Sequence, residues 1–243
     1  TIDDDLRRRD FTINAMALRL GGESFGETVD PLKGQTDLER GVIRVLHPNS
    51  FIDDPTRIFR AIRYEARYGF AIAPETLGLI NPESLQVLSS LSGERLRHEL
   101  DLILEEDQSA PMLLRIASLG LLDFIHPKLP EFAQDLAEFL DIDGHLDFSA
   151  DRRTMGYILW YIDLFEDDVF SISNRLGFSN ELTLSVWAGT QLKRSLPHLL
   201  DSKPSLIIAS SSFVLPSKLA NRWDSSPATS APRSVHTSAP FMA

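Results

Sequence analysis

FIDDPTRIFRAIRYEARYGF, residues 51–70, decides how the rest of the chain is read. Asp53 or Asp54 can cap a helix with Pro55 in its first turn, where the missing N–H costs nothing. That helix should run to about Tyr68 and stop at Gly69 in C-cap fashion. If it begins near Asp54, then Asp54 and Arg57, three residues apart, share a face. A carboxylate beside a guanidinium makes a complementary edge: one accepts from an exocyclic amino group, the other donates to a ring nitrogen or carbonyl. Cytosine and adenine carry such an amino group next to an acceptor. Uracil and guanine would set a carbonyl against the carboxylate, and each unpaired buried polar group costs about 1–3 kcal/mol. An N-cap aspartate with an i,i+3 ion pair, worth about 0.2–0.5 kcal/mol, explains the same spacing without a ligand.

Downstream the pattern stays helical. Helices are expected near Pro74–Ile80, Pro82–Leu88, Gly93–Glu105, Ala110–Leu119, Glu131–Leu140, Arg152–Phe165, Ile172–Leu176 and Glu181–Leu199, joined by short loops. Tyr157, Trp160, Tyr161 and Phe165 fall at helical spacing; they read as a core stripe, with stacking on RNA bases as the other use of such rings. Glu166-Asp167-Asp168 reads as a helix end and loop. From Ser202 the chain turns to Ser, Pro and Ala, and residues near 224–243 read as a disordered tail.

Upstream, residues 1–48 read as mixed α and β. Phe11–Leu20 suits a short helix running into a strand, Gly21-Gly22 a turn, and Phe25–Val29 the returning strand of a hairpin. Thr36–Glu39 suits a helical turn and Val42–Leu46 another strand. The segment RRRDFTINAMA, Arg7–Ala17, concentrates guanidinium forks that match phosphate oxygens two at a time. Asp10 beside Arg9 can hold that arginine, and Asn14 shares its face if the segment is helical. Asp3, Asp4 and Asp5 read as a solvated acidic turn. The first residue is Thr1, the opening resembles the middle of a strand, and the chain reads as a piece of something longer.

A length of 243 residues allows one large or two small domains, with an ordinary apolar content for a packed core. The absence of cysteine excludes disulfides and thiolate chemistry and fits a reducing cytoplasm. No apolar run reaches the roughly 18 residues that span a bilayer, and no signal-peptide pattern opens the chain. The net charge of −11 argues against a generally basic surface. RNA contact would have to come from local patches, Arg7–Arg9 and Arg57, Arg60, Arg63 and Arg67. The six histidines form no metal-ligand pattern.

The series RRDFTINAMA, DPLKGQTDLERGVIRVL (Asp30–Leu46), DDPTRIFRAIRYEARYGF and SGERLRHELDLIL (Ser92–Leu104) resembles the bacterial-type (class II) tRNA nucleotidyltransferases and poly(A) polymerases, the CCA-adding family. The likeness covers about residues 1–125, and LLDFIHPKL (Leu121–Leu129) resembles the helical region that follows. It implies an α+β, predominantly α protein: the remnant of a nucleotidyltransferase head with short antiparallel strands, then an all-α neck and body. The expected divisions are 1–48 head, 49–125 nucleobase-selecting and RNA-binding neck, 126–201 helical body and 202–243 tail.

The resemblance also implies roles. Arg8, Arg9 and Asp10 match the motif that contacts the sugar and triphosphate, and Asn14 the asparagine that follows. Gly34, Asp37 and Arg44 fall in a hinge; Asp54 and Arg57 match the template for the incoming base, with Arg60 supporting their helix. Arg63 and Arg67 are RNA-binding or structural, and Arg95 and Glu99 match a motif that braces the neck. Asp53 stands where the family often has glutamate. The family's pair of magnesium-binding aspartates, which follows a glycine-rich turn, is not matched, so no metal ligand is expected here and these residues alone are expected not to polymerise nucleotides. The implied activity is addition of CMP, AMP or both, from CTP or ATP with Mg2+, to the 3′ end of RNA, as CCA addition to tRNA or as poly(A) addition, with neither DNA nor a membrane as a partner. A non-catalytic RNA- or nucleotide-binding module on the same scaffold is the alternative.

Overall fold

The computed structural model describes residues 1–130 and 151–200, with side chains to residue 197. Residues 1–195 make one compact unit and residues 196–243 a second; of the latter only the end of the last helix lies among the described residues. The expected helix at Glu131–Leu140 and the tail from Ser202 lie outside the described residues.

The chain opens in a helix, α1 (Ile2–Arg7), and not in a strand. Thr1 and Asp4 form a reciprocal cap, three carboxylates occupy the first turn, and Arg7 ends the helix, all arrangements that favour the helix dipole. The acidic triplet is therefore a solvent-facing turn, as read, but a turn of helix. A single 3-10 turn, Thr12–Asn14, follows. The expected hairpin forms: β1 (Ala17–Leu18) pairs antiparallel with β2 (Thr28–Val29), Ala17 opposite Val29. Asp30 then caps α2 (Gly34–Arg40), accepting from the Gly34 and Gln35 amides at 2.7 and 3.0 Å. Gly41, at φ +64°, ends it in the left-handed region.

The strand expected at Val42–Leu46 is shorter, β3 (Val42–Ile43), and its partner is parallel: β4 (Ala71–Ile72). The antiparallel expectation thus holds for only one of the two strand pairs, since the helix between β3 and β4 carries the chain back to run in the same direction. That stretch contains α3 (Ser50–Asp53) and α4 (Thr56–Tyr68), the latter closed by Gly69 at φ +65° as its sequence suggests.

Then come α5 (Pro74–Leu77), α6 (Pro82–Ser89), α7 (Gly93–Leu104), α8 (Ser109–Ser118) and α9 (Leu122–Ile125). Beyond residue 150 lie α10 (Arg152–Trp160), α11 (Glu166–Leu176) and α12 (Asn180–Leu200). The Glu166–Asp168 run starts a helix and does not end one, because carboxylates are favoured beside the amide-rich N-terminus.

One apolar cluster joins these elements. α4 contributes Ile58, Phe59 and Ile62, α7 contributes Leu96, Leu100 and Ile103, and α10 with its following turn contributes Tyr157, Trp160 and Tyr161. Each such fully buried side chain is worth roughly 1.5–3 kcal/mol against exposure. The aromatic stripe is core at its first three positions. Phe165 departs from it, 70% exposed with the Arg194 guanidinium 4.6 Å from its ring centroid.

Candidate nucleotide-binding site

Asp54, one of the two aspartates read as a possible cap, lies just before α4. Its backbone is extended, and its side chain caps α4 by accepting from the Thr56 amide at 3.1 Å and the Thr56 hydroxyl at 2.6 Å. The signal was in the sequence: an aspartate two residues before a threonine is a local capping pattern. The Arg57 amide donates to the Asp54 carbonyl at 3.1 Å, but among the described residues no side-chain hydrogen bond or ion pair joins the two. The pair is connected indirectly, through a row of alternating charges. Arg57 Nε donates to Asp10 at 2.9 Å, Asp10 lies 3.3 Å from Arg60 Nε, and Arg60 Nη2 donates to Asp54 at 2.6 Å. Arg95, on α7, reaches Asp54 at 3.0 Å and completes the row.

Hydrogen-bonding capacity shows what this row leaves open. An ionised carboxylate has about four acceptor positions, two on each oxygen. Asp54 Oδ1 accepts from Thr56 twice and from Arg95, whereas Oδ2 accepts from Arg60 alone. Burial pushes the Asp54 carboxyl up, but the Thr56 hydroxyl and the Arg60 charge outweigh it, so its pKa ends below the usual aspartate value. Asp54 is therefore an ionised acceptor with room on Oδ2. Arg57 spends Nε on Asp10 and one Nη1 proton on the Ser50 carbonyl at 3.2 Å, which leaves Nη2 unspent.

Asp10 is the largest departure from the sequence reading. It does not hold Arg9. Arg9 donates to Asp5 at 2.8 Å, and Asp5 also accepts from Arg8 Nε at 2.8 Å. Those bonds lower the Asp5 carboxyl and raise Arg9, with hydrogen bonding as the main cause in both. Arg8 and Arg9 remain at least half exposed and oriented by one carboxylate. Asn14 does not sit on a helix with Asp10. It closes the 3-10 turn by accepting from the Phe11 amide at 3.0 Å, which fixes the residue next to Asp10.

The three residues of the implied hinge gather around Thr12. Buried Asp37 accepts from the Thr12 hydroxyl at 2.7 Å and from Arg44 Nε at 3.0 Å, and Arg44 also pairs with Glu75. Gly34 packs so closely that a Cβ there would overlap the Thr12 carbonyl oxygen. Thr12, Asp30 and Glu75 were not singled out from the sequence: Thr12 and Glu75 lie far along the chain from their partners, whereas Asp30, four residues before Gly34, offered a local signal that went unread.

Arg63 and Arg67 do not extend a free basic stripe. Both are paired with Glu106, Arg63 at 3.1 Å, and Glu106 is only 14% exposed. Burial pushes that carboxyl up and the two guanidiniums pull it below its usual value. The patch expected from Arg57, Arg60, Arg63 and Arg67 is thus neutralised by Asp10, Asp54 and Glu106.

Glu99 is buried at 5% exposure with Oε2 unpartnered, and burial raises its carboxyl despite nearby Arg60 and Arg63. It lines a 360 Å³ cavity with Asp54, Arg60, Arg95 and His98. A 510 Å³ cavity elsewhere, at Arg97, Asp101 and Arg153, holds none of the expected site residues. The described residues contain no group of three or more His, Asp or Glu able to hold a metal ion. The N-terminal aspartates do not fit one, because Asp3, Asp4 and Asp5 are each engaged by Arg7, Thr1 and the Arg8–Arg9 pair.

Residues 1–44 match the model of the "Poly A polymerase head domain", and residues 69–133 that of the "Probable RNA and SrmB- binding site of polymerase A". An A-adding tRNA nucleotidyltransferase of Geobacter sulfurreducens is 51% identical over 126 residues, covering 51% of this chain and 14% of that protein. A solved CCA-adding enzyme in an apo form superposes with a TM-score of 0.73 at 32% identity, over 88% of this chain and 53% of that one. The Thermotoga maritima CCA-adding enzyme complexed with tRNA gives 0.68 at 33% identity, over 83% and 50%. The chain therefore spans about half the length of these solved structures and a smaller share of the curated relative.

Proposed function

Because the chain belongs to the bacterial-type (class II) tRNA nucleotidyltransferase and poly(A) polymerase family, we propose that it carries the base-selecting part of an enzyme that adds AMP, CMP or both to a tRNA 3′ end. The observation that carries this reading is the residual hydrogen-bonding capacity of Asp54 Oδ2 and Arg57 Nη2 at the start of α4. An amino group beside a ring acceptor, as in adenine and cytosine, would satisfy an open acceptor and an open donor together. A carbonyl against Asp54 would leave two acceptors facing each other.

Arg8 and Arg9 would hold the triphosphate, since their forks are exposed and preoriented by Asp5. Gly34, Asp37 and Arg44 would link head to neck, and Arg60, Arg95 and Glu99 would support the base-reading helix, within the functional divisions 1–48, 49–125 and 126–201. Arg63 and Arg67 serve the packing of α4 in this reading. RNA would be met through shape and backbone contacts of the helical region. The family uses divalent metal in phosphoryl transfer, and Mg2+ is the ion we infer. The residues described do not fit it. No helix among the described residues is long and apolar enough to cross a membrane; with the absence of cysteine this suits a cytoplasmic enzyme.

The test is nucleotide addition, by the protein that carries this chain, to tRNA lacking one, two or three 3′ nucleotides. R57A should lower the preference for the correct nucleotide by tenfold or more while tRNA affinity changes little. Equal loss for all four nucleotides with weakened tRNA binding would reject the base-reading role.

A further inference from the structure

Glu99 Oε2, on a residue only 5% exposed, has no hydrogen-bond partner among the described residues. A buried carboxylate oxygen left unmet is costly, so its place calls for a ligand or a bound water. Glu99 lines the 360 Å³ cavity beside Asp54, far larger than the share of about 30 Å³ that one water takes in the liquid. Arg95, half exposed, lines it too, so the cavity opens to the surface.

The lining decides what can enter. Every described side chain in it is polar or charged and only His98 has a ring, so the cavity offers hydrogen bonds in place of stacking surfaces. Asp54, Glu94 and Glu99 repel a phosphate, and Arg60 and Arg95 repel a cation. A neutral group that carries hydroxyls meets neither objection. Arg95 spends Nη2 on Asp54 and has further N–H groups to give, so a hydroxyl in the cavity can accept from Arg95 while it donates to Glu99 Oε2.

We propose that this cavity takes the ribose of an RNA nucleotide next to the base being read, with Glu99 Oε2 accepting from its 2′-hydroxyl. This rests on the readings of the chain as part of a tRNA-extending enzyme and of Asp54 as a base reader. Asp54 lines the cavity while Arg57 does not, which sets the ribose beside the base-reading edge and not on it. The sugar of the incoming nucleotide is expected at Arg8, Arg9 and Asp10, none of which lines the cavity, so the hydroxyl belongs to the RNA strand. Both donor and acceptor, the 2′-hydroxyl is the group that distinguishes RNA from DNA.

The test is filter binding, to the protein that carries this chain, of tRNA ending in CC with a single 2′-deoxynucleotide at the last or the penultimate position. For wild type, one of the two substitutions should weaken binding about five- to tenfold, since a hydrogen bond to a charged group is lost. E99M, close in length but without the oxygens, should reduce that penalty to under about twofold. E99Q keeps an acceptor and should restore most of it, whereas a residue that only braced α7 would leave the penalty unchanged in every variant. In nucleotide addition, replacing ATP by 2′-deoxy-ATP should cost wild type and E99M the same factor. Undiminished binding of both deoxy-tRNAs by wild type leaves water as the occupant and overturns the proposal without any variant. An unchanged penalty in E99M overturns it as well. A 2′-deoxy-ATP penalty that vanishes in E99M puts the incoming sugar in the cavity and overturns the assignment to RNA. In these cases the base-reading pair stands, because R57A tests it separately. Absence of tRNA binding by wild type removes the tRNA reading, and this role for Glu99 with it.

Discussion

Glu99 shows how a single residue can work against stability and stay in place. Burial raises its carboxyl above the usual glutamate value of about 4.3. A group whose folded pKa is raised binds protons more readily folded than unfolded between the two values, so stability falls as pH climbs through that window. Above it the cost of a buried carboxylate is constant; below the unfolded value it disappears. E99Q removes the titration and should be more stable than wild type at pH 8, with the gap closing as pH falls towards 4, as read from urea midpoints. Equal midpoints at pH 8 would mean that Arg60 and Arg63 already compensate the charge. Sequence spacing could mark Glu99 as a helix position facing inward, but not that its Oε2 would be left unpartnered.

At the scale of elements, the contact between α7 and α11 depends on the absence of a side chain. A Cβ on Gly93 would overlap the Arg175 carbonyl oxygen, while Arg175 itself donates to the carbonyls of Leu91 and Ser89 at 3.0 and 3.1 Å. The start of α7 is therefore pressed against the end of α11. G93A should cost about 1–3 kcal/mol through overpacking, whereas G21A, with open space around the new methyl, should stay within about 0.5 kcal/mol. Thermal denaturation of both variants checks the contrast, and equal midpoints would show that the helices separate without penalty. The end of α4 was legible at Gly69; the other glycine stop and the polar caps are seen only in the structure. Gly69 and Gly177 stop α4 and α11 in the left-handed region, and Asn81 and Ser92 cap α6 and α7. The parallel β3–β4 pair was not legible, because two-residue strands carry almost no periodicity and their register is set by α4 packing between them.

The whole molecule carries a net charge of −11, and its arginines are largely spent on its own acids. Arg57 and Arg60 face Asp10, Arg63 and Arg67 face Glu106, and Arg115 faces Glu65 at 2.8 Å. Among the described residues most arginines outside Arg8 and Arg9 are paired in this way, so tRNA binding by the proposed enzyme should depend weakly on salt. Each neutralised phosphate contributes a slope of about −0.7 to −0.9 in log K against log salt. A total slope no steeper than about −3 between 50 and 200 mM salt is expected by filter binding. A slope near −8 would point to a basic surface that these pairings do not predict.

Local chemistry was enough to locate the Gly69 stop, most helices, the hairpin and the segments that resemble a nucleotidyltransferase, because each depends on residues within about four positions of one another. The partners of Asp10, Arg63, Arg67 and Asp37 lie 25–50 positions away or on another element, and only packing could assign them. A charge in a folded chain takes whichever opposite charge the core brings within 3–4 Å. Asp10 therefore left Arg9, its neighbour in sequence, for Arg57 and Arg60, which α4 carries to it.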